Sequence, residues 1–166
     1  MSFPTGISRR CLAAAMLAAC TSAMAAPATL SCRFEAAASG GQVRLTFTLR
    51  NTGTTEVQLL RWGSPFEGAW FAPFVTVHGA GGALPFQGAL RKRGDPSAQD
   101  YLRLRAGEER LAALTLDDAY ALPPQGALTL KAAWRWHDVI TAGNAPRPRS
   151  AHQGQEQTCG EVLLKR

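Results

Sequence analysis

The sequence predicts an all-β protein with an immunoglobulin-like two-sheet sandwich. Apolar and polar side chains alternate strictly over residues 43–50, which is the period of a strand with one buried face. Residues 128–136 repeat this pattern and place Trp134 and Trp136 on the apolar face. Short segments of this kind recur between turn-forming residues, and no long helical pattern lies among them. Such spacing is typical of two antiparallel sheets packed face to face.

Turn-forming residues separate the other predicted strands, which are, in chain order, 55–62, 74–78, 84–90, 101–105, 110–116 and 161–164. The glycine-rich segment 79–82 predicts the turn of a hairpin. Asp117-Asp118 predicts a capped helical turn. Residues 138–160 show no periodicity and are rich in proline, arginine and glutamine, so we expect a mobile polar loop there.

Residues 1–25 have the composition of a cleaved signal peptide. Arg9 and Arg10 precede an apolar stretch, and Ala23-Met24-Ala25 forms a small-x-small cleavage motif. The apolar stretch is shorter than the ~20 residues that span a bilayer, so no membrane span is expected. We therefore expect a mature domain of residues 26–166 in the periplasm or outside the cell. A lipobox-like segment ending at Cys20 leaves open a lipoprotein anchored through that cysteine.

Cys32 and Cys159 lie near the two ends of the predicted domain. An even pair of cysteines in an exported chain predicts a disulfide bond between them. Two buried free thiols are the alternative. Their spacing matches no metal-binding or redox motif.

The charge of the chain favours an acidic partner. The whole sequence carries a net charge of +6, and removal of Arg9 and Arg10 would leave +4. Arg91-Lys92-Arg93 is the only tight basic run in the sequence. One short run indicates a solvated face, so we do not expect nucleic-acid binding.

Motifs of catalysis and cofactor binding are absent from the sequence. It has no Gly-x-Ser-x-Gly elbow, phosphate loop or dinucleotide fingerprint. None of His78, His137 and His152 has a second ligand at metal-binding spacing, so no metal or cofactor is expected. His137-Asp138 is interpreted as a surface pair. These observations predict a protein that binds and is not an enzyme, and an enzyme of unrecognised type is the alternative.

Residues 61–105 concentrate aromatic side chains among glycines and prolines. One interpretation is a protruding loop with an aromatic and charged tip, the composition of a protein-binding surface. The other is a bent pair of strands around an aromatic minicore.

Five short motifs follow one another along the chain, at 49–53 (LRNTG), 60–68 (LRWGSPFEG), 85–88 (PFQG), 92–101 (KRGDPSAQDY) and 106–108 (AGE). The set resembles the N-terminal propeptide domain of bacterial deuterolysin-like (aspzincin) zinc metallopeptidases, including the lysine-specific type, over residues 40–135. In that family the propeptide precedes a catalytic domain with His-Glu-x-x-His, a motif that these 166 residues lack. The chain is also similar, more weakly, to a bacterial proteinase-inhibitor domain of immunoglobulin-like fold.

The resemblance implies a protein partner, an exported zinc metalloprotease that the domain inhibits or helps to fold. The candidate partner-binding residues are Trp62, Pro65, Phe66, Glu67, Gly68, Trp70, Lys92, Arg93, Asp100 and Tyr101. Glu67 is the candidate to approach the protease zinc with Phe66 as its apolar anchor, or else it pairs with Lys92 or Arg93 as a structural acid. Asp100 and Tyr101 are equally candidates for an internal brace. A non-inhibitory periplasmic structural or adhesion module is the alternative function.

Overall fold

The computed structural model describes residues 28–166, which form ten strands. These are β1 (Leu30–Ser39), β2 (Gln42–Asn51), β3 (Val57–Leu60), β4 (Val75–Gly79), β5 (Gly82–Ala83), β6 (Tyr101–Leu104), β7 (Glu109–Thr115), β8 (Ala127–Trp136), β9 (Val139–Ile140) and β10 (Gln155–Lys165). Short turns of 3-10 helix cover Pro65–Glu67, Ala98–Asp100, Leu116–Asp118 and Arg149–Ala151. The predicted signal peptide and Cys20 lie outside the described residues.

The strands pair in antiparallel fashion and pack as a sandwich, which confirms the predicted fold class. The described strands form three hydrogen-bonded groups, in the orders β1-β2-β7, β10-β8-β4-β5 and β6-β3-β9, where the sequence predicts two sheets. Residues 28–166 contain no helix with the length and apolar character of a membrane span.

The two alternating strands build the core. Every second side chain of β8 from Leu128 to Trp136 is buried, as the sequence predicts. Phe47 of β2 is fully buried, and its ring centroid lies 6.2 Å from that of Trp134. The apolar faces that the alternation predicts for β2 and β8 therefore pack against each other.

The predicted disulfide bond is confirmed. Cys32 lies in β1 and Cys159 in β10, 127 residues apart in sequence. β1 itself is missing from the predicted strands, although alternate residues Leu30, Cys32, Phe34 and Ala36 pack on the core. The bond joins the β1-β2-β7 sheet to the sheet that contains β8 and β10.

The last strand is longer than the sequence predicts. β10 begins at Gln155, and Gln157 and Cys159 face inward, as does Leu164 further along. The pairing with β8 skips Cys159, and Gly160 next to it has φ +96°, which favours glycine. Before this bulge the inward-facing side chains are at odd-numbered positions, and after it they are at even-numbered positions. A single alternating pattern therefore does not run through β10. Residues 155–160 are therefore strand and not part of a polar loop.

The predicted strand at 84–90 is wrong. Only Gly82–Ala83 pairs with β4, followed by one hydrogen bond from the Leu84 amide to the Val77 carbonyl. Pro85 then has no N–H to continue the ladder. Beyond it the amide of Gln87 donates to the Ala119 carbonyl, so the chain leaves the sheet.

Candidate partner-binding site

The segment 62–68 folds into a compact turn that packs on the sandwich. Pro65 and Phe66 are buried in the 3-10 turn, and Gly68 ends it with φ +81°. Ser64 is fully buried, and its hydroxyl donates a hydrogen bond of 2.6 Å to the Arg61 carbonyl. The shape of the turn therefore comes from internal contacts, and the segment does not project as a loop tip.

Aromatic rings of this segment belong to the core. The Phe66 centroid lies 6.4 Å from Trp134 and 6.0 Å from Trp136. Trp70 stacks on Phe74 at 4.4 Å, and its indole N–H donates to the Thr115 carbonyl at 2.8 Å. The minicore interpretation is thus correct for Phe66 and Trp70, because both rings are buried in the core.

Glu67 is a structural acid. Its side chain is only 9% exposed, forms an ion pair with Arg93, and accepts a hydrogen bond of 2.9 Å from the Gly63 amide. Reaching a zinc ion in another protein would require breaking both interactions and opening the turn. The expectation that Glu67 inserts into a protease with Phe66 as anchor is therefore not supported by this geometry.

Asp100 and Tyr101 form the internal brace. Asp100 accepts hydrogen bonds from the Ser97 amide at 2.7 Å and from the Trp62 indole N–H at 3.1 Å. The hydrogen bond from the Ser97 amide is the main reason that the pKa of Asp100 lies below its usual value. Tyr101 is buried and donates its hydroxyl hydrogen to Asp138 at 2.8 Å. Asp100 thus fixes the indole of Trp62, and Tyr101 connects β6 to Asp138 in the segment after β8.

Asp138 is an organising residue that the sequence does not reveal. It is fully buried and accepts hydrogen bonds from the guanidinium of Arg147, from the Gln153 amide at 2.9 Å and from Tyr101. Burial alone would raise the pKa of Asp138, but these hydrogen bonds outweigh it and hold the pKa below its usual value. The interpretation of His137-Asp138 as a surface pair is therefore wrong for Asp138, whereas His137 is exposed. Asp138 also anchors residues 147–153, so much of the predicted polar loop is tied to the sandwich.

Next to these braced segments lies a cleft of about 330 Å³, which we name the arginine cleft. Its walls include two half-buried rings, Trp62 and Phe71, and three guanidinium groups, those of Arg91, Arg93 and Arg149. The Arg93 guanidinium lies 5.2 Å from the centroid of each ring. Arg91 lies 5.3 Å from Phe71, and Arg149 lies 5.9 Å from Trp62. Each ring thus carries two cation–π contacts, which hold the guanidinium groups in place.

The three arginines differ in how their charge is balanced. Arg93 is paired with Glu67. Arg149 donates to the carbonyls of Arg93 and Gly94 and lies 3.3 Å from the carboxylate of Asp95, whose side chain is 92% exposed. Arg91 forms no hydrogen bond or ion pair with any residue of 28–166. The cleft therefore holds an unbalanced positive charge at Arg91.

The structure divides the predicted partner-binding residues into two groups. Trp62 and Arg93 line the arginine cleft, and Lys92 is exposed beside it without lining it. Pro65, Phe66, Trp70 and Tyr101 are buried in the sandwich, and Gly68 ends the turn. Glu67 and Asp100 are half-buried and bind two walls of the cleft, Arg93 and Trp62. Phe71, Arg91 and Arg149 were missed as site residues. Arg149 in particular is 56 residues from Arg93, so no local pattern could join them.

Histidines 137 and 152 also line the cleft. Within residues 28–166, no three histidine, cysteine, aspartate or glutamate side chains group as a metal site.

The fold and the cleft together define a β-sandwich domain with a cationic and aromatic cleft. No protein-family model matches the chain. Over 126 residues it is 34% identical to a protein of Aeromonas hydrophila described as an extracellular protease. The match covers 76% of this chain but 34% of the relative, so the chain corresponds to about a third of that protein's length. The chain is thus similar to one segment of an extracellular protease.

Proposed function

We propose that this protein is an exported binding partner of a deuterolysin-like (aspzincin) zinc metalloprotease, and that it inhibits or helps to fold that enzyme without being an enzyme itself. The ordered motifs resemble the propeptide domain of that family. The 34% identity to one segment of an extracellular protease supports an origin as a propeptide domain, because a domain of this size would form one part of a larger precursor.

The observation that carries the proposal is that two of the five propeptide-like motifs contribute to the arginine cleft. The motif at 60–68 supplies Trp62 as a wall and Glu67 as a brace, and the motif at 92–101 supplies Arg93 for the wall and Asp100 for the brace. The two longest motifs of the resemblance therefore meet at one exposed feature. Arginine and aromatic side chains are the residues most enriched where protein partners bind tightly.

An exposed apolar side chain, that of Leu90, directly precedes Arg91 in the chain and is 89% exposed. Because it is one residue from a wall of the cleft, we include it in the proposed contact face, where it would add apolar area. A rigid sandwich that presents this face loses little conformational entropy on binding. Seated over a substrate groove, it would exclude substrate by its bulk and would need no contact with the zinc ion.

The test is a titration of an aspzincin metalloprotease with the purified protein. Cleavage of a protein substrate and the yield of active protease after refolding from urea are both measured. Slowed cleavage supports an inhibitor, and a raised refolding yield supports a folding partner. Because a domain acting in trans lacks the millimolar effective concentration that a linker provides, binding should be detectable at micromolar concentration. No binding and no effect up to several hundred micromolar would contradict the proposal and favour a structural or adhesion module.

A further inference from the structure

We propose that the arginine cleft binds a carboxylate side chain on an extended acidic segment of a protein partner, with Arg91 as its principal ligand. The identity of that partner as the metalloprotease depends on the function proposed above, but the chemistry of the cleft is independent of it.

The geometry of the cleft suits a carboxylate. Arg91 and Arg93 lie against the ring of Phe71, and Arg93 and Arg149 lie against that of Trp62. The N–H groups of Arg93 and Arg149 are engaged with Glu67, Asp95 and backbone carbonyls, whereas Arg91 has no such partner within residues 28–166. The planar guanidinium of Arg91 can therefore offer two N–H groups to the two oxygens of a carboxylate. Arg93, 19% exposed between the two rings, is the cation of the cleft most shielded from water, and reduced solvation strengthens its attraction to an anion.

The charged side chains at the cleft leave one positive charge without an acidic partner. Three guanidinium groups face two acids, Glu67 and Asp95. The pair between Glu67 and Arg93 is largely buried, with side chains 9% and 19% exposed. The pair between Asp95 and Arg149 is exposed and contributes little, so a partner's carboxylate can replace Asp95 at small cost. Arg91 has no acid among the described residues, so one additional carboxylate would balance the cleft.

Its size and charge favour an acidic peptide over nucleic acid. A cleft of about 330 Å³ has room for one or two side chains and for no folded element. The aromatic walls, Trp62 and Phe71, would also contact an apolar residue adjacent to the acid. Nucleic-acid binding depends on neutralising several successive phosphates, and the unbalanced charge here is confined to one cleft.

The experiment is a calorimetric titration of the purified protein with two terminally blocked hexapeptides. One carries two glutamates and a leucine, and in the other the glutamates are glutamines. We expect binding of the glutamate peptide only, weakened by salt because the contact is ionic. Arg91→Ala should weaken this binding about tenfold or more, whereas Lys92→Ala removes the same charge from a neighbouring exposed position and should change it less than about twofold.

Circular dichroism of both variants verifies that they fold, which is expected because both side chains are exposed. Equal binding of the two peptides, equal effects of the two substitutions, or binding of inorganic phosphate as tight as that of the peptide would overturn the carboxylate assignment. The same variants are then compared for binding to the metalloprotease. If Arg91→Ala leaves protease binding unchanged, the cleft does not bind the protease, and the proposed function is unaffected. Peptide binding without any protease binding refutes the proposed function and leaves the carboxylate site intact.

Discussion

Replacing Asp138 with asparagine should destabilise the fold strongly. The carboxylate is fully buried and accepts hydrogen bonds from Arg147, Gln153 and Tyr101. An asparagine amide has one oxygen to accept them, and its NH₂ group would face the donors of Arg147. Removing one partner of a buried ion pair typically costs about 3–5 kcal/mol. Since the Arg147 side chain is 22% exposed and water can solvate part of it, we expect a loss near the lower end, about 3 kcal/mol.

The assay is urea unfolding at pH 7 followed by circular dichroism. Asp95→Asn is the matched control, because Asp95 also pairs with an arginine but its side chain is 92% exposed. We expect its unfolding free energy to equal that of the wild type within error. If the two substitutions have the same small effect, the view of Asp138 as the organising acid of this region is refuted.

Three further predictions concern stability. Phe66→Ala should cost about 3–5 kcal/mol in urea unfolding, because the buried ring packs against both Trp134 and Trp136; an unchanged midpoint would mean that the ring is not in the core. Reduction of the Cys32–Cys159 bond should lower the unfolding free energy by about 2–5 kcal/mol, since it closes a loop of over a hundred residues, and a double serine variant should not respond to reductant. Because the pKa of Asp138 is lowered in the folded state, its ionised carboxylate contributes fully to the unfolding free energy above about pH 4. This contribution is lost as the pH falls through the folded-state pKa. Acid should therefore lower the urea midpoint less in Asp138→Asn than in the wild type, and an equal decrease in both proteins would contradict this role of Asp138.

Sequence periodicity predicts the strands whose two faces differ consistently. β2 and β8 are found because alternation continues without interruption through each of them. β10 is found only in part, because its bulge at Cys159 reverses the inward face midway. β1 carries alternating Leu30, Cys32 and Phe34, but three consecutive alanines weaken its pattern. Local alternation therefore identifies regular strands and misses those that a bulge or small residues interrupt.

The structure brings together two of the five motifs that carry the resemblance, those at 60–68 and 92–101. Phe66 and Glu67 nevertheless face the interior, where Phe66 packs on rings of β8 and Glu67 pairs with Arg93. Composition alone cannot distinguish a buried aromatic minicore from an exposed binding tip. Arg149 and Asp138 contribute through contacts with residues far along the chain, and such contacts leave no local signal.

Amide hydrogen exchange of the protein with and without a bound aspzincin metalloprotease tests the central proposal most directly, because it shows both whether the two bind and where. We predict slower exchange on binding at the amides of residues 61–63, 71–72, 91–95 and 149–152, which surround the arginine cleft. The amides of β7, at the edge of its sheet, should serve as an internal control with unchanged exchange. No protection anywhere, or protection at β7 without protection at the arginine cleft, would contradict the account.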